Sequence, residues 1–93
     1  MSATTSLPRP VIKTSTMTST VQDFTIATAQ SSVTQHVTDQ EIAASIRCAL
    51  QNKYPASTWH CFVGRDFGCF VSHREECYVY FYIGQLGVCI FAT

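Results

Sequence analysis

Five cysteines and three histidines are the side chains of this 93-residue chain best suited to bond-making chemistry: Cys48, Cys61, Cys69, Cys77, Cys89, His36, His60 and His73. A structural zinc site needs four converging ligands. His60 and Cys61 are adjacent, and neighbours on a strand point to opposite faces, so one ion is poorly served by both. Cys69 and His73 fall toward the two ends of a further strand, and no second close pair completes a set of four. For covalent catalysis a cysteine needs a base within hydrogen-bond reach and a third group that orients the base. His60 and His73 are the candidate bases for Cys61 or Cys69, but the acids lie in turns and in the run Arg74-Glu75-Glu76, which reads as a solvated face. The expectation is a protein that is not an enzyme and uses no metal or cofactor, its cysteines filling a sheet core as small apolar side chains.

The remaining chemistry is recognition without bond making. In the stretch from Thr58 to Phe91, Tyr78, Tyr80 and Tyr82 alternate with Cys77, Val79, Phe81 and Ile83. One strand would therefore show an apolar face to a core and a tyrosine face to the other side. With Phe67 and Phe70 nearby, such a face can hold a chain through apolar pockets and hydrogen bonds. Should one of the strands lie at an open edge, its free N–H and C=O groups would accept an added peptide strand.

The elements that must position these residues follow from spacing. Met1 to Pro10 is a Ser/Thr/Pro leader expected to be disordered, which leaves 11–93 as one domain. Val11, Ile12 and Lys13 suggest a short edge strand, with Lys13 solvating that edge or reaching a ligand. Met17, Val21, Phe24 and Thr28 recur at helical spacing, and predict a helix from Met17 to about Gln35 that its many Ser and Thr do not favour. Thr38-Asp39-Gln40-Glu41 is a capping box, with Val37 placed to staple against the first turn. Ile42, Ile46, Ala49, Leu50 and Lys53 continue it as a helix from Asp39 to about Lys53. Trp59 to Val63 reads as a strand with Trp59, Cys61 and Val63 on one face and His60 and Phe62 on the other. Gly64-Arg65-Asp66 reads as its turn, Phe67 to Ser72 as another strand, and His73 to Glu76 as a polar connection. Gly84-Gln85 joins the tyrosine strand to Leu86–Phe91, with Gly in the first position of a two-residue type II′ turn. The sum is an α+β domain with two helices on one face of an antiparallel sheet.

Composition bounds the partners. The chain is 46% hydrophobic, 13% charged and formally neutral. That is more apolar material than one small core hides, and it points to burial against a second copy or a bound chain. Six scattered basic residues make no phosphate-binding stripe, so no nucleic-acid partner is expected. No apolar run approaches the ~18 to 20 residues of a membrane span, so no direct membrane insertion is expected either. An odd cysteine count without a signal peptide reads as a reduced, intracellular chain.

The segments KYPASTWHCFVGRDFG and YVYFYIGQLGVCIF, with VIK near the start and EIAASIR in the capped helix, resemble the small, peptide-binding cytoplasmic dynein light chains. The resemblance covers Val11 through Phe91. It implies a homodimer in which the strand after VGR-x-FG, here about Phe67 to Val71, is exchanged between subunits. It also implies a groove that takes a short linear peptide as an extra antiparallel strand, so that two grooves bind two copies of a partner. Partners of the family are the dynein intermediate chain and disordered segments with a Thr-Gln-Thr-like core, in the cytoplasm and on the cytoskeleton. The positions matching the family's groove are Lys13, Asp39, Gln40, Arg65, Asp66, Phe67, Gly68, Cys69, Phe70, Val71, Ser72, His73, Tyr80 and Tyr82. Those matching its dimer interface are Trp59, His60, Phe67, Cys69, Phe70, Val71 and Ser72. His60 matches a family histidine whose charging on acidification splits the dimer, in keeping with the cost of burying an unpaired imidazolium.

Common members have Ser at the position of Cys69, Tyr at that of Phe70, Asn at that of Asp66 and usually Lys at that of Gln40. The groove is therefore expected to be more acidic, with an altered partner preference. The reading is a dimeric adaptor. The alternative is a structural dimer that keeps the fold without general peptide binding.

Overall fold

A computed structural model describes residues 9–65 and 77–93. Its elements are β1 (Pro10–Ser15), α1 (Ser19–Gln35), α2 (Asp39–Lys53), β2 (Trp59–Arg65), β3 (Cys77–Ile83) and β4 (Leu86–Ala92). The strands form one antiparallel sheet in the order β1-β3-β4-β2, with both helices against one face. The α+β class and the helix-on-sheet layering match the expectation. The expected strand from Phe67 to Ser72, its connection to Glu76 and most of the leader lie outside the described residues.

α2 is the helix with local reasons to exist. Thr38 Oγ1 accepts the Glu41 N–H at 3.1 Å, and Glu41 Oε1 accepts the N–H groups of Thr38 and Val37, each at 3.3 Å. Ile42, Ile46 and Leu50, spaced by four, are buried on its sheet side. The staple does not form, because Val37 is 91% exposed: its amide is held by Glu41 while its side chain points to solvent.

α1 lacks such support. Thr18 caps it without a side-chain bond, and no acid or base lies in its terminal turns. The helix begins at Ser19, after Met17, and its buried line is Thr25, Ala29 and Ser32, a quarter turn or so from the face that spacing suggested. Thr28 is half-buried. Small residues let α1 approach α2 closely, and Ser32 Oγ and Ser45 Oγ meet at 2.9 Å.

Strand alternation fills the core as expected. Val79, Phe81 and Ile83 from β3, Leu86, Val88, Ile90 and Ala92 from β4, and Trp59 from β2 pack on Ala29, Ile42, Ile46 and Leu50. Trp59 is further locked by its backbone N–H to Gln51 Oε1 at 3.1 Å and its indole N–H to the Tyr54 carbonyl at 3.0 Å. Gly64 and Arg65, expected in a turn, instead extend β2, paired with Gly87 and Leu86. At the other hairpin Gly84 has φ 62°, where a Cβ is disfavoured and glycine is not. Among the described residues no helix is long and apolar enough to cross a membrane.

Candidate functional site

The face of the sheet turned away from the helices carries the residues with recognition chemistry. In register across it stand His60, Phe91 and Tyr78, then Phe62, Cys89 and Tyr80, then Gly64, Gly87 and Tyr82. The His60 ring stacks on Phe91 at 4.8 Å between centroids, and Phe62 stacks on the same ring at 6.1 Å. Phe62 is 51% exposed. The opposed pair Gly64 and Gly87 leaves a strip without side chains beside Tyr82. β2, at one end of the sheet order, pairs with β4 and with no other strand among the described residues.

At the other edge, the register of β1 shifts at Lys13, between Ile12 and Thr14. Such a bulge turns a side chain out of the regular alternation. Lys13 Nζ comes to 6.0 Å from the centre of the Tyr82 ring. Tyr80 and Tyr82 join their hydroxyls at 2.9 Å. That bond, with burial adding to it, pushes the Tyr80 phenol up to about 12, because ionisation would forfeit the proton shared with Tyr82.

At the end of the sheet, the first turn of α2 faces the last residue of β2. Among the described residues, the N–H groups of Asp39 and Gln40 have no partner, whereas that of Glu41 is taken by Thr38. Asp39 and Arg65 line one cavity of about 370 Å³ with Val33, His36, Val37, Ile42, Ile83, Gly84, Gln85 and Leu86. A second cavity, of about 390 Å³, continues from Arg65, Gly84 and Gln85 to Tyr82. The two share the wall residues Arg65, Gly84 and Gln85, one lying toward the start of α2 and the other toward Tyr82.

Of the residues expected at a groove, Arg65 lines one cavity with Asp39 and the other with Tyr82, and Lys13 and Tyr80 gather at Tyr82. Gln40 lies on the exposed side of the same helical turn and lines neither cavity. Asp66, Phe67, Gly68, Cys69, Phe70, Val71, Ser72 and His73 lie outside the described residues. Of the expected dimer contacts, His60 lies on the sheet face turned away from the helices and is half-buried, while Trp59 is turned into its own core and is 3% exposed. Phe62 and Phe91 were missed as site residues, although alternation from His60 already places Phe62 beside it. Val37 reads as a staple and Gln85 as a turn residue, and nothing local reveals the cavity they line.

The nucleophile reading loses its geometry at Cys61. This residue packs toward the core, opposite His60, and burial pushes its thiol up to about 12, against a weaker opposing pull from Arg47. Burial also raises the Cys77 thiol. Cys48, Cys61 and Cys77 are free, whereas Cys89 is disulfide-bonded, so the all-reduced expectation does not hold for Cys89. Among the described residues no group of three or more His, Cys, Asp or Glu is placed to hold a metal ion.

The chain is similar to known proteins. The profile of the family described as Dynein light chain type 1 matches residues 9–93. The cytoplasmic dynein light chain 1 of Candida glabrata is 35% identical over 83 residues, covering 89% of this chain and 95% of that protein. The dynein light chain-like domain of the Fasciola hepatica calcium binding protein FhCaBP2 superposes with a TM-score of 0.78 at 21% identity, over 92% of each chain. Its mercury derivative superposes with a TM-score of 0.75, also at 21% identity, over 90% of this chain and 91% of that one. At that identity the likeness is one of fold.

Proposed function

The chain belongs to the dynein light chain family, and on that footing we propose that it is a dimeric, non-enzymatic adaptor that takes up short linear peptides as an added β-strand. Membership carries the general role of binding protein partners in a cytoplasmic or cytoskeletal setting. The finer reading is that two copies associate through the aromatic face of the sheet, exchanging the segment from about Phe67 to Val71, and that each resulting groove holds one client. The clients are the dynein intermediate chain and disordered segments with a Thr-Gln-Thr-like core.

The observation that supports this most is β2. A strand at the edge of the described sheet, beside a ring stack in which Phe62 is 51% exposed and His60 and Phe91 are half-buried, offers backbone groups and apolar surface that a lone small domain has reason to cover. Tyr80, Tyr82 and Lys13 offer polar contacts, and the unpaired N–H groups at the start of α2 suit the side-chain carbonyl of a client Gln.

The test joins sedimentation equilibrium at neutral pH to calorimetric titration with a Thr-Gln-Thr-containing peptide. A dimer that binds one peptide per subunit is the expected result. A monomer sinks the reading, and a dimer that ignores the peptide replaces it with a structural dimer lacking general peptide binding.

A further inference from the structure

We propose that Thr38, in the corner between α1 and α2, is a phosphorylation site for an acid-directed protein kinase, and that its phosphate closes the start of α2 to a client. The second half rests on the peptide reading above; the first does not. Thr38 is followed directly by Asp39 and, at the third position on, by Glu41. Among the described residues it is the one Ser or Thr with acids at both places. Thr20 has Asp23 alone and lies within α1. No Lys or Arg occurs in the sequence between Lys13 and Arg47, and no Pro follows Thr38. A kinase whose substrate cleft is basic therefore finds two carboxylates to hold, and one that reads basic or proline-flanked sites finds neither signal.

The fold presents this hydroxyl to a partner. Residues 36–38 join the helices, with extended backbone at His36 (φ −127°, ψ 155°) and at Thr38 (φ −94°, ψ 152°), the form in which a cleft takes a chain. Thr38 is exposed, and Val37 before it is 91% exposed. The bond that Thr38 Oγ1 accepts from the Glu41 N–H is also at the surface, so the hydroxyl can leave it. In the transfer, Thr38 Oγ1 bonds to the γ-phosphorus of ATP and the bond from that phosphorus to the β-phosphate oxygen breaks. ADP departs, and the hydroxyl proton passes to the kinase's catalytic carboxylate.

The consequence follows from where the oxygen sits. Thr38 caps α2, whose Asp39 and Gln40 N–H groups have no partner among the described residues. A phosphate dianion on the cap takes the same N–H groups that would hold the carbonyl of a client Gln. The Asp39 and Glu41 carboxylates oppose it, but both reach solvent and can turn away, so the helix keeps its start while the client's place is filled.

The experiment treats the full chain with casein kinase II and ATP, locates the phosphate by mass spectrometry, and titrates a Thr-Gln-Thr peptide into both forms by calorimetry. One phosphate on Thr38 is expected, with a thermal melt showing the chain still folded and the peptide bound about tenfold more weakly. Glu41→Gln keeps a residue able to close the capping box and removes one carboxylate, so it should be labelled about tenfold more slowly. No label on Thr38, or Glu41→Gln labelled as fast as the parent, overturns the site. A phosphorylated chain that binds the peptide as tightly as the parent overturns the blocking role and leaves the peptide reading standing. A parent that is labelled at Thr38 but binds no peptide overturns the adaptor reading and the blocking role with it.

Discussion

The joined phenols of Tyr80 and Tyr82 make a residue-scale statement that absorbance can read. Tyr80 should ionise near pH 12, well above the ordinary tyrosine value, because its O–H is engaged with Tyr82. A proton held more tightly in the folded than in the unfolded chain contributes stability that is fully present below about pH 10 and is lost as pH rises through about 12. Spectrophotometric titration should show a late-ionising phenol, and Tyr82→Phe should bring it back toward the ordinary value. An unchanged curve in that variant would mean that burial, not the bond, sets the shift. The capping box is the second such site. The backbone N–H groups of Thr38 and Val37 hold the Glu41 carboxyl below its usual 4.5, so its contribution is present above that pH and fades as pH falls below it. Thr38→Ala removes the other half of the box and should cost about 1 kcal/mol in urea denaturation, within the usual range for such caps. A variant as stable as the parent would show that packing of Ile42 and Ile46 alone sets the helix start.

The two helices show which elements could be read from the chain and which could not. α2 was legible to the residue because its cap, charge placement and four-residue apolar spacing are all local. The tyrosine strand and its Gly84 turn were legible for the same reason. The buried line of α1 was not: Thr25, Ala29 and Ser32 carry no hydrophobic signal, and they are inside because α2 is close enough to require small side chains. Gly64-Arg65 has the composition of a turn, yet the partners that make it strand, Gly87 and Leu86, lie more than twenty residues on. The site divides likewise, since alternation set the facing of His60 and the tyrosines while the meeting of Asp39 with Arg65 depends on tertiary closure. The contrast between helices predicts their order of opening. α1 has no side-chain cap bond, low intrinsic preference and a buried Thr25 hydroxyl with no hydrogen-bond partner among the described residues. In native-state hydrogen exchange the α1 amides should exchange through an opening of lower free energy than those of α2. Equal protection of the two would show that they open as one unit.

For the whole molecule, the proposed dimer places the sheet faces turned away from the helices against one another, and its two most informative residues are neighbours there. Phe62 is half exposed and touches the core of its own subunit little, so Phe62→Asp should leave the monomer folded while putting a desolvated charge into the contact. His60 stacks on Phe91, with Nε2 3.4 Å from Thr93 Oγ1. Sedimentation should show the parent as a dimer at neutral pH, and His60→Asp, which sets a carboxylate beside the same ring, should weaken that dimer. Phe62→Asp should be monomeric, with its far-ultraviolet circular dichroism unchanged. Phe62→Asp remaining dimeric would remove this sheet face altogether, and with it the site proposed for the client strand.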